Sequence, residues 1–378
     1  MSLFLLVVIG IYSAAHLYVF FRIKAAFPFG AIPGAFLGLF MAAMIAAPIL
    51  VRILERYGHD APARVLSYAG YTWMGVFFLF FSLSVLIDLY RLLLSGAGMI
   101  FSLNPGYFMP SARTAFLVPL FLALAFSLYG YFEALRIRPH EVVIRTPKIP
   151  EGFSRLRIVQ ISDVHLGLIV RQERVDRILQ VIRDAEPDIL ISTGDLVDGQ
   201  IDSLANLADA FKEVRPRYGK FAVTGNHEFY AGLPQSLEIT RRAGFTLLRG
   251  EVISIPEIIT IAGIDDPAGK HMGMNPPVQE TELLSGLPRD TFTLLLKHQP
   301  FVAEEAPGLY DLQLSGHTHN GQIFPFSLIV RIFFPRVTGL HDLPNGSHLY
   351  ISQGTGTWGP PIRFLTQPEV TIIDLIRP

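Results

Sequence analysis

Cysteine is absent from this 378-residue chain. That excludes a disulfide scaffold, a thiolate metal framework and a thiol nucleophile. Charge is scarce as well: 17% of residues are charged, where an ordinary soluble domain carries about 25%. With 51% hydrophobic residues and a mean hydropathy of +0.41, the average composition points toward a membrane. No Lys/Arg tract occurs and the net charge is −1, so nucleic acid is not an expected partner. Long polar or low-complexity stretches are missing too, which excludes a largely disordered chain.

The scarcity of charge is uneven. Residues 1–135 hold 11 charged side chains, and residues 136–378 hold 52. Four uncharged runs fall in the first part: Met1–Phe21, Ala25–Val51, Val65–Ile87 and Thr114–Phe132. Each is near or above the roughly 20 residues that a helix needs to cross the hydrocarbon core. Met1–Phe21 has no basic residue ahead of its apolar stretch, so it does not fit a signal peptide. We expect a four-helix transmembrane module over 1–135, with spans at about 1–21, 29–51, 65–89 and 113–133. Pro28 and Pro33 should mark the loop before the second span, and Pro119 should kink the fourth. Four crossings place Arg52, Arg56, Arg64, Arg136, Arg138, Arg145 and Lys148 on the side of the C-terminal half. Arg22, Lys24, Arg91 and Arg113 face the other side, and this bias favours a cytoplasmic C-terminal half. His16, the one ionisable group well inside a run, is either a functional group or a hydrogen-bonded packing residue.

From Leu156 onward, short apolar runs alternate with amphipathic stretches. Leu156–Ile161, Ile189–Ser192, Lys220–Val223, Thr293–Leu296 and Leu312–Leu314 read as strands. Val175, Ile178, Leu179 and Ile182 fall at helical spacing, as do Leu204, Leu207, Ala208 and Phe211. The alternation predicts an α/β layered fold. Ile258–Ala262, His348–Ser352 and Val370–Leu375 follow with little helix between them, which suggests a second, more antiparallel sheet. Residues 136–155 read as a linker with an entry strand, and 156–378 as the soluble domain.

Five of these strands run out into loops that carry metal-ligand residues. They are Asp163-x-His165, Asp195 with Asp198, Asn226-His227-Glu228, His298, and His317-x-His319. Open α/β sheets bind ligands at the carboxyl ends of their strands, so these groups should converge. Carboxylate, imidazole and amide oxygen together suit Mn, Fe or Zn. Even with His227, Asp198 and Glu228 set aside, four His, two Asp and one Asn exceed the needs of one ion and suit two, the usual apparatus for in-line displacement at phosphorus.

In this order the blocks resemble the five-block signature of the calcineurin-like metallophosphoesterases, over about Leu156–Asp374. Asp265-Asp266-Pro267 and Gly354–Phe364 further resemble a membrane-associated, mostly bacterial branch, so a bacterial inner membrane is the expected location. The resemblance implies a layered α-β-β-α sandwich after the transmembrane module. It implies one divalent ion held by Asp163, His165, Asp195 and His319, and a second held by Asp195, Asn226, His298 and His317. A hydroxide bridging the two would attack phosphorus while His227 assists the leaving group. Asp198 would orient a ligand or His227, and Glu228 would be structural.

Arg363 is a candidate contact for a substrate phosphate, and His341 another substrate contact. His271 and Met272–Met274 have no assigned role. The apolar stretch Gln322–Pro335 is either core packing or a segment that meets headgroups or an acyl chain. The expected activity is a membrane-anchored phosphoesterase cleaving a phosphoester or pyrophosphate of a lipid-linked or envelope-related substrate. The alternatives are a transporter or signalling module regulated by the esterase domain, or a non-catalytic scaffold on this fold.

Overall fold

The structure is a computed structural model that describes residues 3–102, 104–199, 204–274 and 278–378. Two compact units result, the first Met1–Tyr131 with Pro360–Ile362 and the second Phe132–Gly359 with Arg363–Pro378. Among the described residues, four helices are long and apolar enough to cross a membrane: α1 (Leu3–Ala26), α2 (Ala31–Arg56), α3 (Asp60–Phe101) and α4 (Ala112–Ala134).

Two details differ from the sequence reading. Pro33 lies inside the first turn of α2 rather than in the loop before it. The N–H that proline lacks has no intrahelical acceptor there, so the ring is tolerated. The third helix is 42 residues long and runs well past residue 89. Asp88 lies inside it, with Arg22 and Tyr18 each donating to its carboxylate at 2.6 Å. The helix ends instead at Ser102, in the left-handed region, shortly before Pro105. Helix α4 continues through Pro119.

His16 is buried, with Nδ1 donating to Tyr12 O at 2.8 Å and Nε2 accepting from Trp73 Nε1 at 3.0 Å. Its ring stacks on Phe77 with centroids 3.8 Å apart. Both ring nitrogens are satisfied in one neutral tautomer, which is the signature of a packing residue.

In the second unit the chain enters β1 (Arg138–Arg145) three residues after α4. The remaining elements run β2 (Leu156–Ile161), α5 (Gln172–Ala185), β3 (Ile189–Ser192), α6 (Ala205–Lys212) and β4 (Lys220–Ala222). Then come α7 (Asn226–Ala231), α8 (Leu233–Arg242), β5 (Thr246–Leu247), β6 (Glu251–Ile255) and β7 (Ile259–Gly263). They continue as α9 (Ala268–His271), α10 (Glu280–Leu284), β8 (Thr293–Leu296), β9 (Leu312–Ser315) and α11 (Phe326–Phe333). Strands β10 (Gly339–Asp342), β11 (His348–Ile351) and β12 (Glu369–Ile376) complete the fold.

One sheet has the order β1-β12-β2-β3-β4-β5 and the other β10-β11-β9-β8-β7-β6. The second sheet has two antiparallel pairings to the first sheet's one, but Val370–Leu375, expected in it, lies in β12 of the first sheet. Strands β7, β8, β9 and β11 pair in parallel, and only the edge strands β6 and β10 run antiparallel to their neighbours. Parallel neighbours need crossovers of a dozen or more residues. Here those crossovers are irregular chain with short helices, which helical periodicity does not reveal. Strand β12 returns to the first sheet, antiparallel to β2.

The two sheets pack face to face through Ile158, Ile189, Ile191 and Val223 of one and Ile261, Leu294, Leu296 and Leu314 of the other. The outer face of the first sheet buries Val175, Ile178, Leu179 and Ile182 of α5 and Leu207 and Phe211 of α6. Leu284 and Tyr310 cover the outer face of the second around Leu295 and Leu349. Strands covered on both faces become continuous apolar runs, such as Ile189–Ser192 with all four residues buried. The rigid, dry double sheet holds the strand ends that carry the site.

Candidate metal centre

The five ligand-bearing loops leave the carboxyl ends of β2, β3, β4, β8 and β9. At each, the chain must turn sharply so that a side chain points back over the sheet edge. Asp163, His165, Asp195, His317 and His319 all adopt positive φ, between 47° and 72°. Non-glycine residues rarely occupy this region, and strain of this kind clusters at functional sites.

Among the described residues, three groups of buried or half-buried residues bring one ligand atom each within 4.8 Å of one another: Asp163–His165–His319, His165–Asp195–His227 and Asp195–His298–His317. Within the first, Asp163 Oδ1 lies 3.2 Å from His319 Nε2, and His165 Nε2 lies 3.1 Å from the same atom. Within the last, Asp195 Oδ2 lies 3.2 Å from His298 Nε2, which is 3.2 Å from His317 Nδ1. Asp195 belongs to two groups and His165 to two, so the clusters form one continuous basin.

The basin is locked by backbone contacts. Asp163 accepts from Ser162 Oγ at 2.5 Å and from the His317 N–H at 3.0 Å, which ties the β2 and β9 loops together. A Cβ at Gly316 would collide with Ser162 Oγ and Asp163, and one at Gly225 with the Asp195 carboxylate. Only glycine lets these strands approach so closely. Sequence reasoning set Glu228 aside as structural and did not foresee how. Its buried carboxylate accepts from the N–H groups of Leu196 (2.7 Å), Val197 (3.2 Å), Asp195 (3.0 Å) and Gly225 (2.6 Å). It clamps the β3 loop to the start of α7. Glu at the third helical position, reaching back to the N-cap N–H, is half of a capping box and was the available signal.

The electrostatics suit cations. Burial would raise Asp163 and Asp195, yet His319, His298 and His165 around the first, and His298, His227 and His165 around the second, hold both far below the usual carboxylate range. Burial would lower His298, but Asp195, Asp163 and Asp266 raise it well above the usual imidazole value. His317 is lowered to about 3 by burial and the His298 charge, and His319 to about 4 by burial. Two carboxylates, one imidazolium and two neutral imidazoles leave an electron-rich, negatively charged basin. The Asn226 Oδ1 atom is buried beside it with no hydrogen-bond partner among the described residues. A buried amide oxygen normally has one, so this orphaned acceptor, with the N/O donor set, fits hard-to-borderline divalent ions.

Other anticipated residues sort clearly. His227 Nδ1 lies 2.6 Å from Asp198 Oδ1, with Tyr230 and Trp358 rings 5.7 and 6.2 Å away. Arg363 is fully buried, and its guanidinium donates to the carbonyls of Gln353, Gly354 and Gly356 and approaches His319 Nδ1 at 3.2 Å. The expected phosphate contact is therefore replaced by an internal brace under His319. His341 lies on edge strand β10, its Nε2 3.0 Å from Thr338 O.

Residues 156–321 match the family described as calcineurin-like phosphoesterase. An "Uncharacterized metallophosphoesterase" of Aquifex aeolicus is 41% identical over 257 residues, 68% of this chain and 98% of that relative. The chain belongs to the calcineurin-like phosphoesterases. As a member it is a metal-dependent phosphohydrolase, and its four apolar helices make it a membrane protein. A Danio rerio phosphoesterase relative, "Transmembrane protein with metallophosphoesterase domain", is 32% identical over 271 residues, which span 68% of this chain and 61% of that relative. Haemophilus influenzae NAD nucleotidase superposes on 54% of the chain and 46% of its own length at 14% identity and a TM-score of 0.36.

Proposed function

We propose that this phosphoesterase holds two divalent cations, Mn, Fe or Zn, and hydrolyses a phosphoester or pyrophosphate bond of a lipid-linked, envelope-related substrate. The observation that carries the reading is the placement of Asp195 within ligand distance of both ends of the basin. Asp163, His165, Asp195 and His319 would hold one ion, and Asp195, Asn226, His298 and His317 the other. When bound, the ions would acidify a water and offset charge gained by the phosphoryl oxygens.

The protein's own groups supply orientation and a proton. Asp198 Oδ1 lies 2.6 Å from His227 Nδ1, where its charge would orient the ring and leave Nε2 to hand a proton to the departing oxygen. His227 also lies in one of the ligand groups, but the Asp198 carboxylate beside its Nδ1 favours the acid role. Arg363 braces His319 from behind.

Residues 1–135 would act as the anchor, 136–155 as linker with an entry strand and 156–378 as the catalytic domain, facing the cytoplasm at a bacterial inner membrane. Tethering to a bilayer favours a substrate presented there. The fully bonded His16 gives the transporter alternative no support. Purified full-length protein with Mn should hydrolyse bis-p-nitrophenyl phosphate, and the Asp195→Asn variant should not. Equal activity in the two would overturn the assignment.

A further inference from the structure

Helix α11 and the segment that leads into it end in the basin. Phe334, which caps the helix, has its ring centroid 5.2 Å from that of His317 and 5.1 Å from that of Phe301. If Gln322–Pro335 were core, this eight-residue helix would bury its apolar face. No residue of it is buried.

The helix is inside out. Ser327 lies against Gly321, where the backbone leaves no room for a Cβ. Leu328, Ile329, Ile332 and Phe333 point the other way, exposed by 56%, 45%, 76% and 67%. An amphipathic helix in water turns its apolar arc inward, so an outward arc calls for an apolar medium on that side.

Three features identify the medium. First, only three residues separate α4 from β1, about 11 Å of extended chain, so the domain that bears α11 stays at the bilayer crossed by the four spans. Second, residues 312–341 contain no Asp or Glu, in a half-chain of net charge −4. The charges in that stretch are Arg331 and Arg336, both exposed. Third, Leu340 and Leu365 are further exposed apolar side chains near the same segments of chain, by 41% and 66%. An apolar arc flanked by arginines and free of carboxylates matches an anionic phospholipid interface.

We infer that α11 is an interfacial membrane helix. Its outward arc enters the headgroup–acyl boundary while Arg331 and Arg336 meet lipid phosphates. Because Phe334 joins the helix to His317, this contact would set the mouth of the basin at headgroup level. The inference concerns a surface and holds whatever the basin hydrolyses.

The cysteine-free chain makes the test direct. Bimane is attached to Ile332→Cys, Leu328→Cys or, as control, Glu213→Cys of the full-length protein in phosphatidylcholine/phosphatidylglycerol vesicles containing doxyl-labelled lipid. Labels at 332 and 328 should be quenched on the order of twofold more than the label at 213, as side chains inserted 5–10 Å would be. Quenching no greater than at 213 in both variants would overturn the inference. So would a 332 label protected only as protein density in the vesicles rises, which would assign the face to a second copy. An Ile332→Glu substitution should leave hydrolysis of soluble bis-p-nitrophenyl phosphate intact and, combined with the 328 label, lower the quenching of that label. Unchanged quenching would again refute membrane contact.

Discussion

The Glu228 clamp yields the sharpest quantitative expectation. Replacing Glu228 by Gln preserves size but turns one of two acceptor oxygens into a donor. One oxygen receives Asp195 and Gly225 N–H groups, the other Leu196 and Val197. Whichever way the amide is oriented, two buried N–H groups lose their acceptor. At about 1–3 kcal/mol for each unsatisfied donor, the loss is about 2–6 kcal/mol. For a domain of this size that lowers Tm by about 4–24 °C. The assay is thermal unfolding of the full-length protein followed by intrinsic fluorescence, with and without Mn. Added Mn should recover part of the loss, because the β3 and α7 loops that Glu228 joins carry Asp195 and Asn226. Burial and nearby Asp195 raise the Glu228 carboxyl above its ordinary range. The folded state therefore holds this proton to higher pH than the unfolded chain. Wild-type stability should fall as pH rises from the unfolded glutamate value through the folded one, a slope the Gln variant lacks. A Gln variant within about 1 °C of wild type at neutral pH would show that the group is a neutral acid and refute the ionised clamp.

Other expectations are independent of that one. Mn binding near neutral pH should release about one proton, since His298 is held protonated by Asp195 and Asp163 and must ligate as neutral imidazole; calorimetric enthalpies that do not vary with buffer ionisation heat would contradict this. His227→Gln should reduce kcat about 10²–10⁴-fold with metal content unchanged, whereas loss of an ion would make His227 a ligand. Asp198→Asn should act in the same direction more weakly and shift the pH profile, because it frees the His227 ring. Arg363→Met should destabilise by more than about 2 kcal/mol through unsatisfied carbonyls, leaving KM for bis-p-nitrophenyl phosphate unchanged in whatever folds; a raised KM at wild-type Tm would restore the phosphate-contact reading.

Much of this was legible in the sequence, for physical reasons. Strands buried on both faces, such as β2 and β3, announce themselves as apolar runs, and the ligand residues follow each run directly. Helix α3 runs past residues 65–89 at both ends, and Asp88 inside it is held by Arg22, 66 residues away. Such pairing is invisible to local pattern. The return of Val370–Leu375 to the first sheet was missed because strand order depends on partners far away in the chain. Arg363 was read as a candidate phosphate contact because a guanidinium among glycines suits one. Here the glycines bring carbonyls inward around a buried guanidinium.

The left-handed turns at Asp163, His165, Asp195, His317 and His319 also bear on how this site should be probed. Asp, Asn and His are the non-glycine residues that enter that conformation most readily, so backbone demand and ion chemistry select the same short alphabet here. Truncation to alanine at these positions would remove a donor and penalise the turn at once, and would overstate the donor's importance. Asparagine keeps the turn comfortable and is the cleaner probe, with glycine as the control that reports what the bend alone costs.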